Sequence, residues 1–360
     1  MGISNQDRIL QLLEFLYGAT SGQATTERLV GQLARFQQHT RRLFNSKKEL
    51  FSQKDVFLIT YGDMLLRAGE MPLNTLHNFM QKWLAGLIST VHILPFFPYS
   101  SDDGFSVVDY TRIDPALGTW EQIDRIKADG FCLMFDAVIN HISVKSAWFQ
   151  AFQAGDPRYQ DTFIRLDPST DLSQVTRPRA HPVLTPVETV RGTEYIWTTF
   201  SLDQADLNYK NPDTLLDIID VLLTYIDRGA DVIRLDAIAY LWKEVGTNCI
   251  HLPQTHAIIQ LLRAVVDTVA PGVLLITETN VPHQENISYF GNGSNEAHLV
   301  YNFTLPPLTA HAILTGSAEH LTQWAQDLEA PSNGEAFFNF TASHDGVGLM
   351  PLAGILGRED

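Results

Sequence analysis

From residue 55 onward the chain alternates short apolar runs with amphipathic stretches, and this rhythm narrows the fold more than any other feature. The apolar runs are DVFLITYG, TVHILPFFP, GFCLMFDAVINH, DVIRLDA, PGVLLITET, HLVYNF and EAFFNFTASHD. Between several of them lie TLHNFMQKWLAG, TWEQIDRIKADG, THAIIQLLRAVVDTVA and HLTQWAQDL, with apolar residues at helical spacing. Strand and helix in alternation predict a parallel sheet joined by crossover helices. Seven strands fall one short of a closed eight-stranded barrel. The expected fold class is therefore α/β, a (β/α)8 TIM barrel truncated after the seventh strand. A sheet closed in some other way is the alternative. An open barrel would expose strand edges, a liability for an isolated domain.

Two stretches depart from the rhythm. Before residue 55 the pattern is helical: Ile9, Leu10, Leu12, Leu13, Leu16 and Tyr17 recur at helical spacing, as do Leu29, Val30, Leu33 and Phe36. The intervening GATSGQATT reads as a connector, with Thr25 or Thr26 as an N-cap. Residues 146–200 hold Pro157, Pro168, Pro178, Pro182 and Pro186 with no lasting periodicity, and read as an irregular insertion after the third strand. The expected organisation is a helical extension over 1–54, a first barrel part over 55–145, the insertion over 146–200 and a second barrel part over 201–360.

With 45% apolar residues the chain has material for a sizeable core. A formal net charge of −16 argues against a nucleic-acid backbone or an anionic membrane as partner. The two cysteines, Cys132 and Cys249, do not make a disulfide framework. The first residues lack the basic and apolar regions of a secretory signal, and no apolar span of about 18 residues occurs. A soluble cytoplasmic protein is expected.

Three carboxylates stand at or just past strand ends: Asp236 in VIRLDA, Glu278 in LLITET and Asp345 in NFTASHDG. The C-terminal ends of barrel strands are where such folds carry chemistry. Three carboxylates at one rim suit the cleavage of a glycosidic bond: one attacks, one delivers a proton, one steadies the cationic sugar. Residues two apart in a strand share a face, so Arg234 and Asp236 point the same way. The arginine would keep the aspartate ionised and oriented, with a buried structural ion pair as the alternative reading of the motif alone. Glu278 follows GVLLIT, a run with nothing polar until Thr277. Burial there would raise its pKa toward that of a proton donor, and a capping or solvent-facing glutamate is the plainer reading. His344-Asp345-Gly346 alone is a common turn, and Asp136 in FDAVINH is as readable as structural. No metal-ligand spacing, HExxH, paired CxxC, Walker loop or G-x-G-x-x-G is present, so neither metal nor nucleotide cofactor is expected.

Taken in order, DAVINH, IRLDA, the Glu278 strand and SHDG resemble the conserved regions of the α-amylase superfamily, glycoside hydrolase family 13. QADLN at 204–208 resembles that family's extra motif after its insertion domain. The flanks PFFPYSSDDGFSVVDY, RLDAIAYLWKEVGTNCIHLPQTH and YNFTLPPLTAHAILTG are most similar to the sucrose phosphorylase group. The helical extension resembles the branch with glucosylglycerate and sucrose 6'-phosphate phosphorylases, and ITETNVPHQENISYFGNG inclines to the glucosylglycerate type.

The resemblance implies a retaining phosphorylase. It would transfer glucose from glucosylglycerate, or a sucrose-type donor, to inorganic phosphate as co-substrate through a covalent glucosyl-enzyme. Asp236 would be the nucleophile, Glu278 the acid/base and Asp345 the transition-state stabiliser. Arg234, His344, His141, Asp103 and Gln204 would hold the sugar. Arg177 and Arg179, in TRPRAHP, would face phosphate or acceptor. No calcium is implied, and the family's eighth strand and C-terminal β domain have no counterpart here. A hydrolase or transglucosidase with the same carboxylates, and an inactive sugar-binding barrel, are the rival readings. The acceptor itself and the oligomeric state are not legible.

Overall fold

The computed structural model describes residues 4–44, 50–331 and 334–357. Its centre is a seven-stranded, all-parallel sheet. The first three strands are β1 (Phe57–Thr60), β2 (Thr90–Ile93) and β3 (Cys132–Val138). Two short strands follow, β4 (His141–Ser143) and, after a hairpin of β5 (Leu184–Thr189) and β6 (Gly192–Trp197), β7 (Gln204–Asp206). The sheet then continues through β8 (Ala230–Asp236), β9 (Leu274–Thr277), β10 (Leu299–Tyr301) and β11 (Ala336–Phe338). The sheet order is β1-β2-β3-β8-β9-β10-β11, with β1 and β11 as its edges.

The helices are α1 (Asn5–Tyr17), α2 (Ala19–His39), α3 (Pro72–Trp83), α4 (Trp120–Ala128), α5 (Ala147–Gln153), α6 (Pro212–Asp227), α7 (Pro253–Val269), α8 (His283–Ile287), α9 (Leu305–Thr315) and α10 (Glu319–Asp327). None of the described helices is long and apolar enough to cross a membrane.

Alternation along the strands builds two cores. Leu133, Phe135, Ile233, Leu235, Leu275 and Val300 face the helices and join the main core. Met134, Val232, Ile276, Tyr301 and Phe338 face inward and form a second cluster inside the curl of the sheet. The curl is deep: Phe57 on β1 and Phe338 on β11 meet edge to face, ring centroids 4.9 Å apart. A cavity of about 540 Å³ lies along this open seam, lined by Phe51, Phe57, Ile59, Val232, Leu299 and Phe338 among others. The expected parallel barrel with seven strands is thus a curled parallel sheet with one open side.

The connector expected between the first two helices is shorter than its composition suggests. Gly18 alone separates α1 from α2, and Thr25 and Thr26 lie inside α2 rather than capping it. Their hydroxyls bond back to the carbonyls of Ser21 (2.7 Å) and Gly22 (2.8 Å). The reason is tight packing. A Cβ on Gly22 would lie 2.6 Å from the Cα of Glu14, so small residues let the two helices touch. The insertion is also less irregular than expected. The β5–β6 hairpin runs through Pro186, which is tolerated because β5 has a single partner strand. The excursion opens and closes with β4 and β7, which pair antiparallel, His141 opposite Asp206.

Candidate active site

Strand register sets the carboxylates side by side. Asp136 on β3 is opposite Arg234 on β8, and Leu235 is opposite Thr277, so Asp236 and Glu278 follow at adjacent strand ends. Arg234 is buried, and its Nη1 donates to Asp136 Oδ1 and Asp236 Oδ1, each at 2.7 Å. Its Nη2 lies 3.6 Å from Asp345 Oδ2. The guanidinium also rests against the rings of Phe105 and Tyr301, 5.6 and 5.7 Å from their centroids. One arginine therefore gathers three carboxylates. Immediately after Asp236 the chain turns through Ala237 at φ 50, a left-handed conformation rare for alanine and costing about 1–3 kcal/mol. That turn aims the Ala237 N–H at Glu278 Oε2, 3.0 Å away. Asp345 does not end its strand directly: β11 stops at Phe338, and the residue reaches the rim on the following loop, ahead of Gly346 at φ 71.

A cavity of about 280 Å³ opens above these groups, lined by Asp103, His141, Arg179, Gln204, Arg234, Asp236, Glu278, His344 and Asp345, together with Tyr61, Asp102, Phe105, Phe200 and Ala237. Nine residues singled out in the sequence thus share one cavity. Arg177 is the exception. It is exposed and does not line the cavity, which of the two arginines of TRPRAHP only Arg179 reaches. Both lie in a loop without regular structure that bends over 178–180, so no strand alternation holds the two side chains to one face.

His141 Nε2 sits 3.0 Å from the carbonyl of Phe105, and Gln204 Nε2 donates to that carbonyl (3.2 Å) and to Asp102 Oδ2 (2.9 Å). His344 stacks flat on Phe105, centroids 5.3 Å apart and planes 3° from parallel. Beneath His141, the ammonium of Lys243 is fully buried between Asn140 Oδ1 (2.7 Å) and Asp206 Oδ2 (2.5 Å). Among the described residues no group of three or more His, Cys, Asp or Glu could hold a metal ion.

The electrostatics divide the carboxyls. Burial alone would raise Asp136, but His92, 2.7 Å away, and Arg234 outweigh it and hold Asp136 at about 2. Glu278 is raised above its ordinary 4.5, first by burial and then by the charge of Asp345, against the pull of Arg234 and the Ala237 amide. Burial, Glu278, Asp136 and Asp345 push Asp236 well up too, opposed by Arg234. These two neighbours titrate as one system. The hydrogen bond from Arg234 falls on Asp236 and not on Glu278, which favours the anion on Asp236.

Several lining residues escaped the sequence reading. Tyr61 follows the first strand directly, the same signal that marked Asp236. Asp102 stands next to Asp103 in the quoted motif. Phe105 and Phe200 carried no signal, since an aromatic near a strand end is usually core. His92 and Asp136 lie under the site and act on it through Arg234.

The family model described as the catalytic domain of alpha amylase matches residues 82–346. The chain is 53% identical over 353 residues to a glucosylglycerate phosphorylase of Allomeiothermus silvanus, a match covering 98% of this chain and 62% of that protein. It is 49% identical to a glucosylglycerate phosphorylase of Escherichia coli, over 99% of this chain and 63% of that protein. It thus spans about three fifths of the length of these relatives. Among solved structures, sucrose 6F-phosphate phosphorylase from Thermoanaerobacter thermosaccharolyticum superposes with a TM-score of 0.75 at 26% identity, covering 87% of this chain and 64% of that one. The chain belongs to the α-amylase catalytic-domain family.

Proposed function

We propose that this chain forms most of the catalytic domain of a retaining phosphorylase acting on glucosylglycerate, with inorganic phosphate as co-substrate. The observation that carries the reading is the convergence of Asp236, Glu278 and Asp345 on one cavity around a single buried arginine. The resemblance of nearly the whole chain to glucosylglycerate phosphorylases supports the donor.

In the first half-reaction an Asp236 oxygen attacks the anomeric carbon as the glycosidic C–O bond breaks. Glu278 gives its proton to the departing glycerate oxygen. In the second, a phosphate oxygen attacks the same carbon, Glu278 takes back a proton from phosphate, and Asp236 leaves. Two inversions give α-glucose 1-phosphate with net retention. Asp345, His344, His141, Gln204 and Asp103 hold the sugar hydroxyls, and Asp345 stabilises the cationic sugar in between.

Arg179 is the candidate for the phosphate or glycerate anion. It is exposed at the cavity wall and, among the described residues, makes no hydrogen bond or ion pair. Residues 146–200 act as the insertion domain, and α1 and α2 as an accessory helical layer. A strand placed between β1 and β11 would close the barrel.

The test is a phosphorolysis screen of a protein of its relatives' length against glucosylglycerate, sucrose and sucrose 6'-phosphate, following glucose 1-phosphate. Release from glucosylglycerate supports the reading. Release from one of the other donors alone reassigns the acceptor. The exposure of Arg179 favours one rival, because an open wall admits water. Free glucose formed at equal rate with and without phosphate would make the protein an α-glucoside hydrolase.

A further inference from the structure

Asp203 lies outside the cavity, and no step above uses it. Its Oδ2 accepts hydroxyl groups of Ser100 (2.5 Å), Ser101 (2.6 Å) and Ser106 (2.9 Å), and its Oδ1 accepts Ser143 at 3.3 Å. Its backbone carbonyl accepts the Val144 N–H (3.0 Å) and again Ser106 Oγ (3.2 Å). Ser100, Ser101 and Ser106 are the two feet of the loop SSDDGFS, and Ser143 belongs to β4. A single half-buried carboxylate thus ties both feet of that loop to the base of the insertion, one residue before Gln204.

The loop needs such a tie. It passes through Asp102 at φ 57 and Asp103 at φ 47, two successive left-handed residues that are not glycine. Gly104 follows at φ 107, where a Cβ would lie 2.5 Å from the Pro95 carbonyl oxygen. A conformation this strained persists only where its surroundings over-determine it. The loop's own backbone bonds are few: Phe105 N–H to Asp102 O at 2.9 Å, Ser100 N–H to Ser106 O at 3.0 Å and Ser106 N–H to Ser101 O at 3.3 Å, with Ser100 Oγ adding long contacts to Ser106 O (3.4 Å) and Ser106 Oγ (3.3 Å). Hydroxyl bonds to an ionised carboxylate are roughly twice as strong as neutral ones. Gathered bonds of that kind also hold the Asp203 carboxyl below its ordinary range against burial.

What the loop carries is the sugar wall: Asp102 and Asp103 on the cavity, the Phe105 carbonyl between His141 and Gln204, and the Phe105 ring under His344. We propose that Asp203 is a positioning residue whose serine clamp sets recognition of the donor glucose without touching it. The kinetic half of this proposal rests on the phosphorylase reading, and the structural half does not.

The experiment compares D203A and D203N with the parent in a protein of its relatives' length. It measures KM and kcat for phosphorolysis and amide hydrogen exchange over residues 99–107. For D203A we expect KM for the glucosyl donor to rise about tenfold or more with kcat within about threefold, the mark of lost uniform binding. Exchange at Phe105 and Ser106 should quicken at least about tenfold while β3 and β8 keep their protection. Asn keeps one acceptor oxygen, so D203N should recover part of both losses. Unchanged KM and unchanged loop exchange in D203A overturn the proposal. So does acceleration spread equally over β3 and β8, which would make Asp203 a general stabiliser. Should D203A not fold, S101A decides: about threefold in KM with local exchange supports the clamp, and parental values overturn it. A parent inactive on every glucoside, with exchange still quickened locally in D203A, removes the phosphorylase reading and leaves the clamp standing.

Discussion

Arg234 fixes the state of the residues around it. Its hydrogen bond to Asp236, and the absence of a matching one to Glu278 among the described contacts, separates two carboxyls that burial would otherwise treat alike. Replacing Asp236 by Asn should lower kcat by about 1,000-fold or more, read as glucose 1-phosphate release. It also removes one negative charge from a crowded group, so the melting temperature should stay level or rise. Parental activity in D236N would end its assignment as nucleophile.

Glu278 carries its proton above the ordinary 4.5. A raised carboxyl acts as acid while protonated, so kcat/KM should fall as pH climbs through the pair's upper titration. In E278Q that alkaline limb should vanish, with about 100- to 10,000-fold loss on glucosylglycerate. Glucosylation by α-glucosyl fluoride, whose leaving group needs no proton, should be largely kept. Equal losses on both donors would count against the acid/base role. At this scale the sequence showed the carboxylates plainly, since each follows an apolar run. It hid Phe105 and Phe200, because nothing local distinguishes an aromatic wall from core.

Elements were legible where their periodicity was undisturbed. β3 and β8 read clearly as apolar runs, and their pairing from Met134–Val232 to Val138–Asp236 is the longest in the sheet. The β5–β6 hairpin was hidden by Pro186, and α9 by Pro306 and Pro307 at its first turn, where proline is in fact favourable. Gly22 misled in the other direction, since a glycine among serines and threonines reads as a break. Here it is the contact point of α1 and α2, and Gly22→Ala should destabilise the protein by about 1–3 kcal/mol through overpacking, measured by urea unfolding. A neutral or stabilising result would mean the two helices separate easily. Tyr17, whose hydroxyl reaches the carbonyl of Tyr209 at 2.9 Å, shows how the extension is fastened to the barrel.

On the scale of the whole molecule, the alternation of strands correctly implied a curled sheet with one side open, because the count of strands is readable even when their ends are not. The edges β1 and β11 each have one neighbour. Their amides should exchange at least about tenfold faster than those of β3 and β8 in the 360-residue chain. The difference should shrink in a protein of its relatives' length; equal protection in both would show the seam is closed by other means.

The cavity wall offers a last consequence. Asp102, Asp103, Asp236, Glu278 and Asp345 face it against Arg179 and Arg234. The glucosyl unit of the proposed donor is neutral and gains from such a place only on becoming cationic, and the donor's single carboxylate would lie outward by Arg179. A doubly charged sugar phosphate carries more negative charge past the same carboxyls and meets the stronger repulsion. Added salt weakens that repulsion, so product inhibition by glucose 1-phosphate should tighten as ionic strength rises, and turnover at high conversion should slow with it.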